Sequence, residues 1–492
     1  MSRPRPAKVE VLRASDAEVR QRRAAALLLA RGCCEGDRVA FALGSSGDLI
    51  CAVLGAARVG LVPVLLNATL TSAERDALAD DAQPVLRVFD ESALAALTAD
   101  GGAAIGSVEL TRYPLTRPMH YTSGTSGRPK GVTTGLWDDA TARRVYEDEA
   151  EVWHFDSSDL HLVCSPMYHT VSIRFSTTTL LAGGSLAILS RFDAGTALDA
   201  LRRLRPTTAF LVPTHLQRIL QQPDLGADEM FGSLRLLAHA GAPCPESVKR
   251  ATMARARPGV VWEFYGSTEA QYTVCSPDDW LEHPGTVGRA RTGRRLSIAP
   301  VEDHDHGLDG VDKGGGLVDV GEGAIWCDQP EFARFSYWRN PEATAEAWRG
   351  SACTVGDLGR LDVNGFLYLT GRRHDLIISG GVNVYPAEVE NVLSAVPGVS
   401  EVAVFGLPDE QWGQRVCAAY VASTASSSAS AIEESLRAAA SVRLAPYKRP
   451  KNYVAAGDLP HTATGKLMRR AVPQHLGLAE GPGGGHRRQE GG

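Results

Sequence analysis

The sequence predicts an α/β protein of two or more domains, and three observations carry that reading. The chain is 492 residues long, more than one hydrophobic core ordinarily organises. Hydrophobic residues make up 44% of it and charged residues 22%, the balance of a globular protein with large buried cores. Apolar runs of strand length alternate with helix-like stretches along the chain.

In chain order, Ala17 to Ala30 reads as a helix, Arg38 to Leu43 as a strand, Leu160 to Cys164 as a strand, Ala197 to Leu204 as a helix and Ala209 to Val212 as a strand. The apolar stretch from Leu49 to Asn67 is interrupted by Gly55, Arg58, Gly60 and Pro63, so it falls short of a membrane-spanning helix. Val301 to Gly316, VEDHDHGLDGVDKGGG, has turn chemistry and reads as an exposed loop within a domain. Ala422 to Ser430, ASTASSSAS, reads as a surface connection inside a smaller C-terminal unit, ahead of a helix from Ile432 to Leu444. The glycine-rich tail, residues 481–492, is expected to be disordered. No fixed-period repeat supports a solenoid or propeller.

A formal net charge of -6 with interspersed signs gives no footprint for a nucleic-acid backbone. The nine cysteines form no CxxC pair, which argues against a zinc site or a disulfide framework. The first residues carry basic groups without a following apolar core, so no secretory signal is read there. The expectation is a cytoplasmic protein with no membrane insertion.

The strongest local signal is Tyr121 to Val132, YTSGTSGRPKGV. Glycines let backbone N–H groups surround an anion, short hydroxyls add donors and Lys130 supplies charge. Composition alone leaves a flexible connection as the alternative. Downstream stand Tyr265-Gly-Ser-Thr-Glu269, Gly356-Asp357, GRRHD from Gly371, GGVNVYPAEVE from Gly380 and LPHTATGKLMRR from Leu459. In this order the motifs resemble those of the superfamily of acyl-CoA synthetases, peptide-synthetase adenylation domains and luciferases.

The resemblance implies a large N-terminal domain of several sheets with packed helices, residues 1–373, and a small mobile α+β C-terminal domain, residues 374–480. It implies ATP, Mg2+ and coenzyme A as cofactor and co-substrates, with a small carboxylic acid as partner. Thr122, Ser123, Gly124, Thr125, Ser126, Gly127 and Lys130 would hold the β and γ phosphates. Tyr265 and Gly266, with Gly241, Ala242 and Pro243, would border adenine; Thr268 would contact the α-phosphate and Glu269 the magnesium ion. Asp357 and Arg372 would clamp the ribose. Lys466 would bridge carboxylate, ribose and α-phosphate oxygens, where a fixed ammonium offsets developing charge. His169 would act as a gate beside the acyl pocket.

Two departures from the family pattern matter. Val355 stands where Thr is common before Gly-Asp, and His374 occupies the hinge position usually held by Asp or Lys. Because histidine titrates near neutrality, the ratio of adenylation to thioester formation is expected to change between pH 6 and 8. Arg174 reads as a peripheral salt bridge, with a second anionic or polar substrate group as its alternative partner. His239 and Ala240 replace smaller residues and are expected to shorten the acyl pocket, favouring a small or aromatic acid. The resemblance thus implies an AMP-forming acid–thiol ligase. Its alternatives are delivery to a carrier-protein thiol or an amine, activation of an unusual oxyacid, and a catalytically silent nucleotide-binding protein.

Overall fold

The computed structural model describes residues 7–99, 108–122, 129–222, 230–300, 321–372, 375, 377–379, 382–409, 412–423, 428–462 and 467–478. The chain divides into two compact units, Met1–Val355 with Arg360–Tyr368, and Gly356–Gly359 with Leu369–Gly492. The division falls within the strands Asp357–Leu361 and Leu367–Arg372.

The first unit contains two six-stranded sheets. One runs in the order Val9–Leu12, Ser185–Leu189, Leu160–Val163, Thr208–Leu211, Leu236–His239, Val261–Glu263. Its pairs are parallel except for the antiparallel Val9–Leu12 edge. Covering helices bury both faces of parallel strands, which is why Thr208–Leu211 is buried at every position. The other sheet runs Ser336–Tyr337, Lys130–Thr133, Met119–Thr122, Val62–Leu65, Arg38–Phe41, Leu86–Val88. A third sheet is built on Gly323–Asp328, paired antiparallel with Arg295–Ala299 and Ala352–Cys353.

The apolar stretch after Leu49 becomes the helix Gly47–Ala57 and the buried strand Val62–Leu65. Ser46 starts that helix by accepting from the Leu49 amide at 3.2 Å, satisfying a donor that the first turn leaves open. The helix is buried along almost its whole length, so its uniform hydrophobicity reflects a core element. Among the described residues no helix is long and apolar enough to cross a membrane.

The second unit is organised on the sheet Val382–Val384, Ile377–Ser379, Gly413–Ala422, Val399–Asp409, with Asn452–Ala456 parallel to Gly413–Ala422. Helices Pro386–Leu393 and Ala429–Arg443 pack into its core through Val389, Leu393, Ile432 and Leu436. The latter begins at Ala429, where the Ser428 hydroxyl accepts from the Ala431 amide, so the Ser-rich connection expected to end at Ser430 ends slightly earlier. Val301 to Gly316, residues 424–427, His374 and residues 481–492 lie outside the described residues.

Candidate active site

The signature-loop strands pair antiparallel, with Thr122 opposite Lys130. The Thr122 hydroxyl donates to the Lys130 carbonyl at 3.4 Å. Ser123, Gly124, Thr125, Ser126 and Gly127 lie outside the described residues. The Lys130 ammonium stands 4.9 Å from the centre of the Tyr337 ring, and the Tyr337 hydroxyl donates to Glu269 Oε1 at 3.0 Å. Strand pairing explains the proximity, because Tyr337 sits opposite Val132 in the same sheet. The base of the signature loop and the expected magnesium carboxylate are thus gathered in one place.

The Tyr265-to-Glu269 motif forms a tight return. The Ser267 amide donates to the Ala270 carbonyl at 2.8 Å, and Gly266 bridges Gln271. A Cβ at Gly266 would lie 2.5 Å from the Ala270 carbonyl oxygen and 2.7 Å from Gln271 Cα, so this return requires glycine. Arg117, three residues before His120, donates to the Thr268 carbonyl at 2.8 Å. The return is therefore held from outside, with Thr268 half-buried and Glu269 buried. Tyr265 is buried edge-on to Tyr272, ring centres 5.4 Å apart. Gly241, with φ +90°, turns the chain after Leu236–His239 and leads into Ala242 and Pro243.

Glu269 is a single buried carboxylate oriented by a phenol, and the described residues hold no cluster of three or more metal-binding side chains. One protein carboxylate completed by phosphate oxygens is how magnesium is held with a nucleotide, so this donor set fits a magnesium–nucleotide complex better than an all-protein cage. Asp357, 7% exposed, begins the strand Asp357–Leu361, and the backbone of Arg372 ends Leu367–Arg372. Both belong to the second unit. Lys466 lies outside the described residues.

His169 precedes the helix Thr170–Leu181, its ring 4.2 Å from that of Tyr168. Its buried Nε2 has no hydrogen-bond partner, and burial lowers its pKa to about 4, so the imidazole is neutral at physiological pH. His120 binds the Tyr168 carbonyl through Nδ1 at 2.8 Å, and burial lowers its pKa to about 3.

Helix Thr170–Leu181 has two unlike faces. Phe175 joins Trp153, Phe210 and Phe264 against Ala238 and Ala240 in one apolar cluster. On the other side a cavity of about 150 Å³ is lined by Thr170, Ile173 and Arg174, and reaches Glu269 and Gln271. Arg174 Nε lies 3.2 Å from Glu149 Oε2. Glu149 also meets Arg291 at 2.8 Å, and Asp148 meets Arg291 at 2.8 Å and Arg294 at 3.0 Å. The expected salt bridge of Arg174 exists, but it is buried rather than peripheral. Burial would raise the Glu149 pKa, yet Arg174 and Arg291 pull it to about 2.

His239 does not line this cavity. Successive strand residues face opposite sides, and while Ala238 and Ala240 face the phenylalanines, the fully buried His239 ring lies 3.9 Å from Glu263. Arg117, Tyr337, Asp148, Glu149, Arg291 and Arg294 were not legible as site residues, because only tertiary structure joins them.

A family model described as AMP-binding enzyme matches residues 14–113 and 118–333, and one for the AMP-binding enzyme C-terminal domain matches residues 388–466. The chain belongs to the AMP-binding enzyme family. It is 31% identical over 476 residues to a long-chain-fatty-acid–CoA ligase, FadD13, of Mycobacterium tuberculosis, covering 92% of this chain and 90% of the relative. It is 32% identical to a 2-succinylbenzoate–CoA ligase of Bacillus cereus, covering 89% and 88%. Among solved structures, the amide bond synthetase McbA of Marinactinospora thermotolerans superposes with a TM-score of 0.78 at 26% identity, covering 94% of each chain. This AMP-binding enzyme therefore shares its architecture with proteins that differ in acid and in acceptor.

Proposed function

We propose that this AMP-binding enzyme is an ATP-dependent acid:CoA ligase acting on a small or aromatic carboxylic acid. The observation that carries the reading is the gathering of Lys130, Tyr337 and Glu269 beside the Thr268 return. In the first step a carboxylate oxygen attacks the α-phosphorus; the new O–P bond forms as the bond to the β-phosphate bridge breaks and pyrophosphate leaves. In the second, a thiolate attacks the acyl carbon, forming the C–S bond as AMP leaves.

Arg117 holds the Thr268 carbonyl, which orients the Thr268 hydroxyl toward the α-phosphate. Tyr337 fixes the carboxylate of Glu269 for a metal ion, and Lys130 with the signature-loop hydroxyls takes the β and γ phosphates. Magnesium, when bound, supplies neutralising charge at the phosphates. Lys466 brings an ammonium to the reacting oxygens, and Asp357 with Arg372 holds the ribose. A neutral His169 shapes the acyl side without adding charge. The domain boundary at residue 373, with alternation about His374, exchanges the lysine face for the GGVNVYPAEVE face between the two steps.

The size of the acid is supported by the cavity of about 150 Å³ beside helix Thr170–Leu181, which reaches Glu269. Incubation with ATP, magnesium, CoA and a panel of carboxylic acids tests the reading. It predicts acid-dependent release of AMP and pyrophosphate with equal loss of free thiol; release of ADP, or turnover independent of acid, contradicts it. The resemblance to an amide bond synthetase favours one second reading, an amine acceptor, for which AMP release would require an amine and leave CoA intact.

A further inference from the structure

The cavity beside helix Thr170–Leu181 carries more positive charge than its own carboxylates neutralise. Four guanidinium groups line it, those of Arg117, Arg174, Arg291 and Arg294, against the three carboxylates Asp148, Glu149 and Glu269. His120, which also lines it, is neutral because burial lowers its pKa. Two carboxylates are shared among three arginines: Asp148 serves Arg291 and Arg294, and Glu149 serves Arg174 and Arg291. Arg117 makes no ion pair among the described residues and spends its donors on the carbonyls of the Thr268 return. If Glu269 is committed to a metal ion, the imbalance grows. A surplus buried charge costs several kcal/mol unless a partner offsets it.

The unused donors point the same way. Arg174 Nε is turned to Glu149 at 3.2 Å, but its Nη2 is buried without a hydrogen bond, and so are the hydroxyls of Thr134 and Thr170; all three residues line this cavity. Thr170 is 8% exposed. Buried polar groups are ordinarily satisfied, and donors gathered in one hollow suit a bound acceptor. The hollow has a volume of about 150 Å³, a size at which an apolar cavity admits a benzene ring. It also adjoins Glu269 and Gln271, at the end of the adenylation motif.

We infer that the acid substrate is a small dianion, whose second carboxylate enters this cavity and is held by Arg174 with the Thr170 hydroxyl. The inference rests on the ligase reading and names the class of acid that it takes. Arg174 then has two partners, Glu149 on the protein side and the substrate on the cavity side. A carboxylate matches the planar fork of a guanidinium edge. The rest of the lining is largely apolar, with Val53, Leu54, Ile173 and Phe332 among it, and would face the carbon skeleton of that acid.

Matched pairs give the test. Succinate, glutarate and phthalate are each compared with their monomethyl esters in acid-dependent exchange of labelled pyrophosphate into ATP by the full chain. Each ester keeps one reacting carboxylate and loses only the second charge. At least one diacid should exceed its ester by about 30-fold or more in kcat/KM. Arg174→Gln should raise the KM of that diacid by a similar factor with a much smaller change in kcat, and should change the KM of the ester far less. Because Arg174→Gln also strips a partner from Glu149, Thr170→Val provides a shape-conserving second variant, with about a fivefold rise in KM for the diacid. Esters or simple monoacids exchanging as well as the diacids would overturn the inference and leave the ligase reading standing. Calorimetric binding of phthalate that Arg174→Gln abolishes, with no exchange for any acid, would support the anion site and overturn the ligase reading. Neither binding nor exchange would overturn both.

Discussion

Two buried ionic clusters in the first unit are built from similar groups and serve different ends. In one, the Lys249 ammonium meets Glu263 Oε2 at 2.5 Å, and Lys249 is only 1% exposed. The charges balance one to one, the Trp280 ring covers the ammonium at 4.6 Å, and neither residue lines the cavity. In the other, Arg174, Arg291 and Arg294 share Asp148 and Glu149 around an open hollow. A balanced pair without space is a structural device, whereas surplus charge with space and idle donors is a place for a ligand. The carboxylates report the same contrast: burial pushes the Glu263 pKa up despite Lys249, while the surrounding guanidiniums hold Glu149 at about 2 against its own burial.

The comparison breaks most visibly if Lys249 is removed. Lys249→Met leaves Glu263 buried without a partner and should destabilise the protein by about 3–5 kcal/mol in denaturant unfolding, with kcat per folded molecule unchanged. A loss of kcat instead would move Lys249 into the site. Acid titration comes next. His120 and His169 have folded pKa values of about 3 and about 4, below the unfolded value, so the unfolded state binds more protons as pH falls. Each histidine should cost about 1.4 kcal/mol of stability per pH unit from pH 6.5 downward until its folded pKa is reached. Glu149, whose folded pKa is depressed, contributes stability that is present above its unfolded pKa near 4.5 and lost only as pH falls toward about 2. Unfolding free energies measured from pH 7 to 4 should therefore follow the histidines first, and a flat profile down to pH 5 would contradict their neutrality.

The double variant Lys249→Met, Glu263→Leu removes both charges together and should lie within about 1 kcal/mol of the parent, because a balanced buried pair is replaceable by apolar groups. The smallest effect concerns Glu269. Tyr337→Phe removes the donor that orients this carboxylate at 3.0 Å, and should raise KM for magnesium-ATP about fivefold, matching about 1 kcal/mol for one hydrogen bond. An unchanged KM would mean that Glu269 needs no such support.

Much of this organisation is legible in the sequence, where a local pattern carries it. The strands beginning at Arg38, Leu160 and Thr208 announce themselves as short apolar runs, and helix Ala194–Leu204 as a periodic one started by Asp193. The proposed nucleotide side is legible because its residues come as contiguous strings, Tyr121 to Val132 and Tyr265 to Glu269. The proposed acid side is not. Asp148 and Glu149 sit in a helix, Asp139–Trp153, beside the outward Glu147 and Glu151, and nothing in the local string says which acids turn inward. Their partners Arg291 and Arg294 lie more than 140 residues away. Arg174 is conspicuous in an otherwise apolar and hydroxyl-rich run, which singles it out but gives neither its partner nor the hollow beside it. His239 misleads for a related reason: one step along a strand reverses the face, and sequence alone does not say which face is the pocket.

The central claim is adenylation of an acid through a catalytic lysine, and acid-dependent pyrophosphate exchange by the full chain and its Lys466→Ala variant tests it most directly. The account predicts exchange that requires both magnesium and an acid, and a fall of at least about 100-fold in the variant with its unfolding profile unchanged. Exchange that persists undiminished in Lys466→Ala, or its absence from the parent enzyme with every mono- and dicarboxylic acid, would contradict it.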